Sequence, residues 1–193
     1  MIWFSDAMTF ISQRTQTVLN RVLQVIVLAY QAVAVLVFIT ALYLAIDWLR
    51  NPFIGGFFEH TFVLNGSDTS EQNKSWAMYE NGFKVGDQLI SVNGTPISNS
   101  DQLKQILGSS TVGSDVSIVM RTTAGLEKTV TIPLREFSSA DRYAYFFIPE
   151  VLSLVFLLVS LWIFGLRRTE PAGRAFSIFT ASLAIVIGGL FDL

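Results

Sequence analysis

The sequence predicts a membrane protein of three transmembrane α-helices with one small α+β domain outside the bilayer. Three observations predict it. Residues 22–46 include no charged side chain, and residues 143–166 include only Glu150. Each run exceeds the roughly 20 apolar residues that a helix needs to cross hydrocarbon. Between the runs lies a polar block with its own strand and turn signals, and hydrocarbon offers such a block no hydrogen-bond partners.

Composition agrees. The 193 residues are 51% hydrophobic and only 15% charged, with a net charge of −2. No basic field points to nucleic acid as a partner. With no cysteine, disulfides and thiolate metal sites are excluded. The single histidine, His60, makes a histidine-based metal site or a Ser-His-Asp triad very hard to build, and the H-E-x-x-H signature is absent. Asp87 and Asp101 can be drawn as an acid pair, but one lies in a turn and the other at a helix start. No enzyme and no cofactor are expected.

The elements follow in chain order. Residues 1–21 form an N-terminal segment with Ile2, Trp3, Phe4, Phe10 and Ile11, either an interfacial helix or a frayed apolar end. Residues 22–49 form the first span. It is too long for a cleaved signal and reads as an uncleaved anchor. Residues 143–166 form the second span, 167–174 a loop, and 175–191 a third, short span. A chain ending just as this helix crosses suggests a longer protein; a small three-span protein is the other reading.

Orientation follows from positive charge near the spans. Arg14 and Arg21 precede the first, and Arg167, Arg168 and Arg174 follow the second. The N-terminus is therefore expected in the cytoplasm of a bacterial cell and residues 50–142 outside its plasma membrane. Trp48, Phe53, Phe57, Phe58, Tyr143, Tyr145, Phe146 and Phe147 are placed to form an outer aromatic belt. Gln31 and Glu150 are polar groups within spans, where such groups usually face protein. Glu150, next to Pro149, is either a coupling residue or a carboxylate reaching water at the interface.

In the outer block, residues 61–64 and 89–92 read as strands. Asn-Gly pairs at 65–66, 81–82 and 93–94 mark turns. Ser100 can cap a helix carrying Leu103, Ile106 and Leu107, which Gly108 ends. Val116, Ile118 and Met120 alternate with polar neighbours in a strand. Leu126, Val130, Ile132 and Leu134 share one face of a last strand.

The run Asn81-Gly82-Phe83-Lys84-Val85-Gly86-Asp87-Gln88-Leu89-Ile90-Ser91-Val92-Asn93-Gly94-Thr95-Pro96-Ile97 resembles the central signature of bacterial PDZ domains. The downstream helix, the turn at Gly113 and the last two strands keep the family's order, so the resemblance covers residues 55–135. It implies a domain that binds an extended peptide beside a sheet edge. It places the carboxylate-binding loop at Gly55, Gly56, Phe57 and Phe58, with Leu103, Ile106 and Leu107 as the opposite wall or part of the core. Those glycines and phenylalanines also read as a hinge with interfacial anchors. The wider arrangement resembles the N-terminal membrane region of bacterial multi-span sensors of the ComP histidine-kinase type.

Two functions are thus expected. The first is a membrane-anchored interaction or sensory input module for signal transduction, whose partners are the lipid bilayer and a protein or peptide ligand. The second is a non-catalytic accessory subunit, packed by its helices into a larger membrane complex such as a photosynthetic or respiratory one.

Overall fold

The computed structural model describes residues 2–66 and 76–189, with side chains from residue 15 onward. The side chains of the N-terminal segment, the polar stretch 67–75 and the far end of the third span lie outside that description. The chain divides into two compact units. Among the described residues, one comprises those up to Tyr43 together with 147–189; the other is 44–146.

The first unit is helical. Helix α1, Ile2–Leu49, is continuous, so no break separates the N-terminal segment from the first span. The other two long helices of the chain are α5, Ile148–Arg167, and α6, Pro171–Gly188. Helix α6 starts earlier than the apolar run because Pro171 supplies a first-turn residue that needs no N–H partner. Among the described residues, three helical segments are long and apolar enough to cross a membrane: Thr15–Leu49, Ser139–Arg167 and Pro171–Gly188. Their contact is drawn around Leu157 and the small residues Ala34, Ala181 and Ala184, which let helices approach. A Cβ on Gly188 would lie 2.8 Å from Ser153 Oγ, so this position accepts only hydrogen.

The second unit is α+β. A four-stranded antiparallel sheet has the order β4-β3-β5-β6. Its strands are β3 Gln88–Val92, β4 Thr95–Pro96, β5 Asp115–Arg121 and β6 Glu127–Pro133. A second ribbon pairs β1 Phe57–Phe58 with β2 Leu64–Asn65. Helix α2, Ala77–Glu80, packs Ala77 and Met78 inward, and α3 covers Ser100–Gly108. The tight β3–β4 turn sits where Asn93-Gly94 predicts it, with φ of 50° and 76°.

One face of the sheet carries the core. Val116, Ile118 and Met120 are fully covered, as are Leu89, Val92, Ile132, Leu134, Leu64 and Met78. The expected alternation on β5 is what is found. Leu126 departs from the expected face, because it sits on the hairpin tip, where Thr122 N–H donates to Leu126 O (2.8 Å) and no neighbouring strand covers it. The strand expected at 61–64 is displaced to Leu64–Asn65, since Thr61 and Phe62 form the return from β1. The cap of α3 is Asn99 rather than Ser100; its Oδ1 accepts from Gln102 N–H at 2.9 Å.

Of the aromatic residues expected as a belt, Phe53 and Phe146 are buried, Trp48, Phe57, Phe58 and Tyr145 are half-buried, and Tyr143 and Phe147 are exposed. Phe53, Trp76 and Phe137 are buried, with Trp48, Phe57, Tyr79 and Tyr145 packed on them. Phe53 and Phe137 meet edge to face at 4.9 Å, the arrangement ring quadrupoles favour. Trp76 Nε1 donates to Asp141 Oδ2 at 3.1 Å, and Ser138 Oγ holds the same oxygen at 2.6 Å. Of the expected belt, Tyr143 and Phe147 face outward and Phe146 does not. A short helix, α4 Ser139–Asp141, leads into a π-helical turn at Arg142–Phe147, immediately before Pro149. Pro149 has no N–H, and its ring crowds the carbonyl four residues back, so the preceding turn widens.

Ile118→Ala is expected to destabilise the α+β unit by about 2–5 kcal/mol, as cavities in closed cores do. Denaturant titration of the protein in micelles, followed by tryptophan fluorescence, measures it.

Candidate functional site

The α+β unit contains a groove of about 270 Å³. That lies just below the roughly 300 Å³ lower end of small-molecule pockets. It suits the side chains of a segment lying in an open trough.

One wall is α3. Ser100, Leu103, Lys104 and Leu107 line the groove. Their spacing of three, four and seven places them on one helix face. Ile106 does not line the groove; it packs on the core, as Leu103 and Leu107 also do. Gln102 fixes the start of this wall, because its Oε1 accepts from Ser98 N–H at 2.9 Å while its N–H is capped by Asn99.

The opposite wall is Gly56, Phe57, Phe58, Glu59, His60 and Phe62. Here β1 is paired on one side only, Phe57 with Asn65 and Phe58 with Leu64. Its second edge carries no strand among the described residues. The glycine pair sets this wall close to its support. Gly55 has φ +88°, and a Cβ there would lie 2.7 Å from Ala77 Cβ. A Cβ on Gly56 would lie 2.6 Å from Leu64 Cδ1. Both glycines are buried, so they are packed joints rather than a hinge. Gly55 itself is not among the lining residues.

Phe62 adds a strained backbone. Its φ is +59°, rare for a bulky residue and worth about 1–2 kcal/mol of strain. Hydrogen bonds hold it there: its N–H donates to Glu59 O (2.8 Å) and its carbonyl accepts from Leu89 N–H (2.8 Å). The ring is buried in the core.

The third wall was not legible in the sequence. It is the last turn of α1 and the residues after it: Leu44, Ala45, Trp48, Asn51, Pro52, Phe53 and Ile54. Asp47 on that turn pairs with Lys104 of α3 at 2.5 Å. The apolar run gives no sign that its end covers a groove, since Leu44, Ala45 and Trp48 fit a span equally well.

Asp87 is a turn carboxylate. Its Oδ2 accepts from Lys84 N–H and its Oδ1 from Thr123 N–H, each at 2.9 Å. It is buried there, whereas Asp101 lies exposed in the first turn of α3.

The two intramembrane candidates belong to the helical unit. Gln31 is buried, and its Nε2 donates to Ser160 Oγ at 2.7 Å. The Ser160 hydroxyl donates onward to Ser177 O at 2.6 Å. One chain of hydrogen bonds thus ties α1, α5 and α6. The serines supplied no signal of their own in the sequence, because serine in apolar helices is common. Glu150 is also buried, and its Oε2 has no hydrogen-bond partner among the described residues.

No family model matches the sequence, and no curated protein matches it. Among solved structures it is similar to an aminopeptidase N family protein from Idiomarina loihiensis. Identity is 16% over 47% of this chain and 15% of that one, with a TM-score of 0.38. A likeness at that level carries no argument about fold or activity.

Ser160→Ala is expected to weaken association of the helices by about 0.6–1.7 kcal/mol, the range measured for such bonds between membrane helices. In a Gln31→Leu background the same change is expected to cost clearly less. Unfolding in mixed micelles across the four-protein cycle checks the coupling.

Proposed function

We propose that this chain is a membrane-anchored, PDZ-like binding module that captures an extended polypeptide segment, serving as the input part of a sensor. The observation that supports it most is the pairing of an open strand edge, on β1, with an apolar helix face, on α3, across one groove. A segment added to β1 gains main-chain hydrogen bonds, while alternate side chains enter the trough. The glycine pair that opens β1 and the Gly86-Asp87 turn before β3 agree with the resemblance in the sequence. In this reading the groove lies outside a bacterial plasma membrane, as the arginines flanking the spans favour. The module binds and does not catalyse.

The test uses the full chain in micelles and a fluorescent peptide of alternating valine and threonine. Anisotropy is expected to report saturable binding. Leu103→Arg, which puts a charge into the trough, is expected to weaken it more than tenfold without shifting the far-ultraviolet circular dichroism. Equal binding by the variant would remove this reading.

Glu150 supports a second reading, that of an accessory subunit in a larger complex. An unpaired buried polar atom costs about 1–3 kcal/mol, which a partner helix offering a donor recovers. A photocrosslinker at Val151, on the outward side of the same helix, is expected to trap one discrete protein in cells. Adducts with lipid alone would count against the subunit reading.

A further inference from the structure

The groove has a specificity element that the resemblance does not supply. Among the described lining residues, the fixed positive charge is the Lys104 ammonium. Lys104 belongs to the α3 stripe, between Leu103 and Leu107 in sequence, and lines the trough that β1 also borders. Its carboxylate partner, Asp47, comes from the chain's own α1. Asp47 lies between Ala45 and Trp48, both of which line the groove.

Resting on the binding reading above, we infer that Asp47 is an internal competitor for a carboxylate on the bound segment. The groove therefore selects segments that bring a carboxylate to Lys104, and binding exchanges the Asp47 contact for the ligand's. Three physical points carry this. Lys104 and Asp47 are both partly exposed, at 52% and 38% of their side chains, so the exchange is inexpensive. Lysine presents three donors on a flexible stem, so its ammonium can turn from one wall toward the trough. Asp47 is tethered, and tethered groups act at effective concentrations on the order of millimolar. Dilute free carboxylates therefore do not displace it, whereas one fixed in place by strand pairing with β1 does. The same exchange frees the last turn of α1 from α3, so occupancy is registered on a helix that continues into the apolar span.

The carboxylate can be a chain terminus or an Asp or Glu side chain, and the experiment separates them. The valine–threonine peptide is made in four forms: free C-terminus, C-terminal amide, amide with one internal aspartate, and amide with asparagine in its place. Binding to the full chain in micelles is measured by anisotropy for the native protein, Asp47→Asn and Lys104→Gln.

At least one acid-bearing form is expected to bind threefold or more tighter than its neutral counterpart. An advantage confined to the free terminus assigns the α-carboxylate, and one confined to aspartate assigns the side chain. Asp47→Asn is expected to tighten the favoured acid form by about twofold to fivefold, the range an exposed ion pair allows, and to leave the neutral forms unchanged. Lys104→Gln is expected to erase the acid–neutral difference while binding persists. Equal affinity of acid and neutral forms would overturn the inference and leave the groove reading standing. So would an Asp47→Asn effect shared by all four peptides. Failure of every peptide to bind would remove the groove reading and this inference with it.

Discussion

A peptide group placed in hydrocarbon has only the chain itself for a hydrogen-bond partner, and this constraint divides the molecule. Where the sequence is apolar over more than twenty residues, it closes every backbone bond locally as helix. Where turns and polar residues interrupt it, the bonds close between strands. The division falls inside α1 and beside Pro149, at the two ends of the polar block. Polar side chains inside the helical unit obey the same constraint. Gln31 is tolerated because Ser160 and Ser177 meet its amide.

Strong periodic signals were readable in the sequence. The uncharged runs announced the long helices, and the alternation at Val116, Ile118 and Met120 announced the buried face of β5. Asn93-Gly94 announced its turn. Weaker signals failed where tertiary contact decides. Helix α2 is a single turn, too short to show a period, and it exists because Ala77 and Met78 seal the core beneath Gly55 and Gly56. Asn99 competed with Ser100 for the same cap, and a choice between two good cap residues depends on where the backbone turns. The aromatic residues near the spans carry identical composition whether they face lipid or one another. Only packing put Phe53 and Phe137 inside.

The candidate groove was half legible. Of the α3 residues that the resemblance offered as wall or core, Leu103 and Leu107 serve as both and Ile106 packs on the core alone. Of the loop that the resemblance pointed to, Gly56, Phe57 and Phe58 line the trough, whereas Gly55 serves packing. The α1 wall and the Asp47–Lys104 pair were out of reach. They join residues far apart in sequence, and neither carries a local pattern. Sequence patterns report the faces that an element presents, and a cleft is made of faces from several elements.

Phe53 and Arg135, both inside the ends of the α+β unit, exchange backbone hydrogen bonds, N–H to carbonyl at 2.7 Å and 3.1 Å. The segment between them is therefore closed by a single clasp. A segment whose ends are fastened together behaves as a cassette: it can be grafted into a surface loop of an unrelated carrier with little demand on the recipient's geometry. The β1 and α3 walls of the groove would travel with such a graft, whereas the α1 wall with Leu44, Ala45, Trp48 and Asp47 lies outside the clasp and would stay behind.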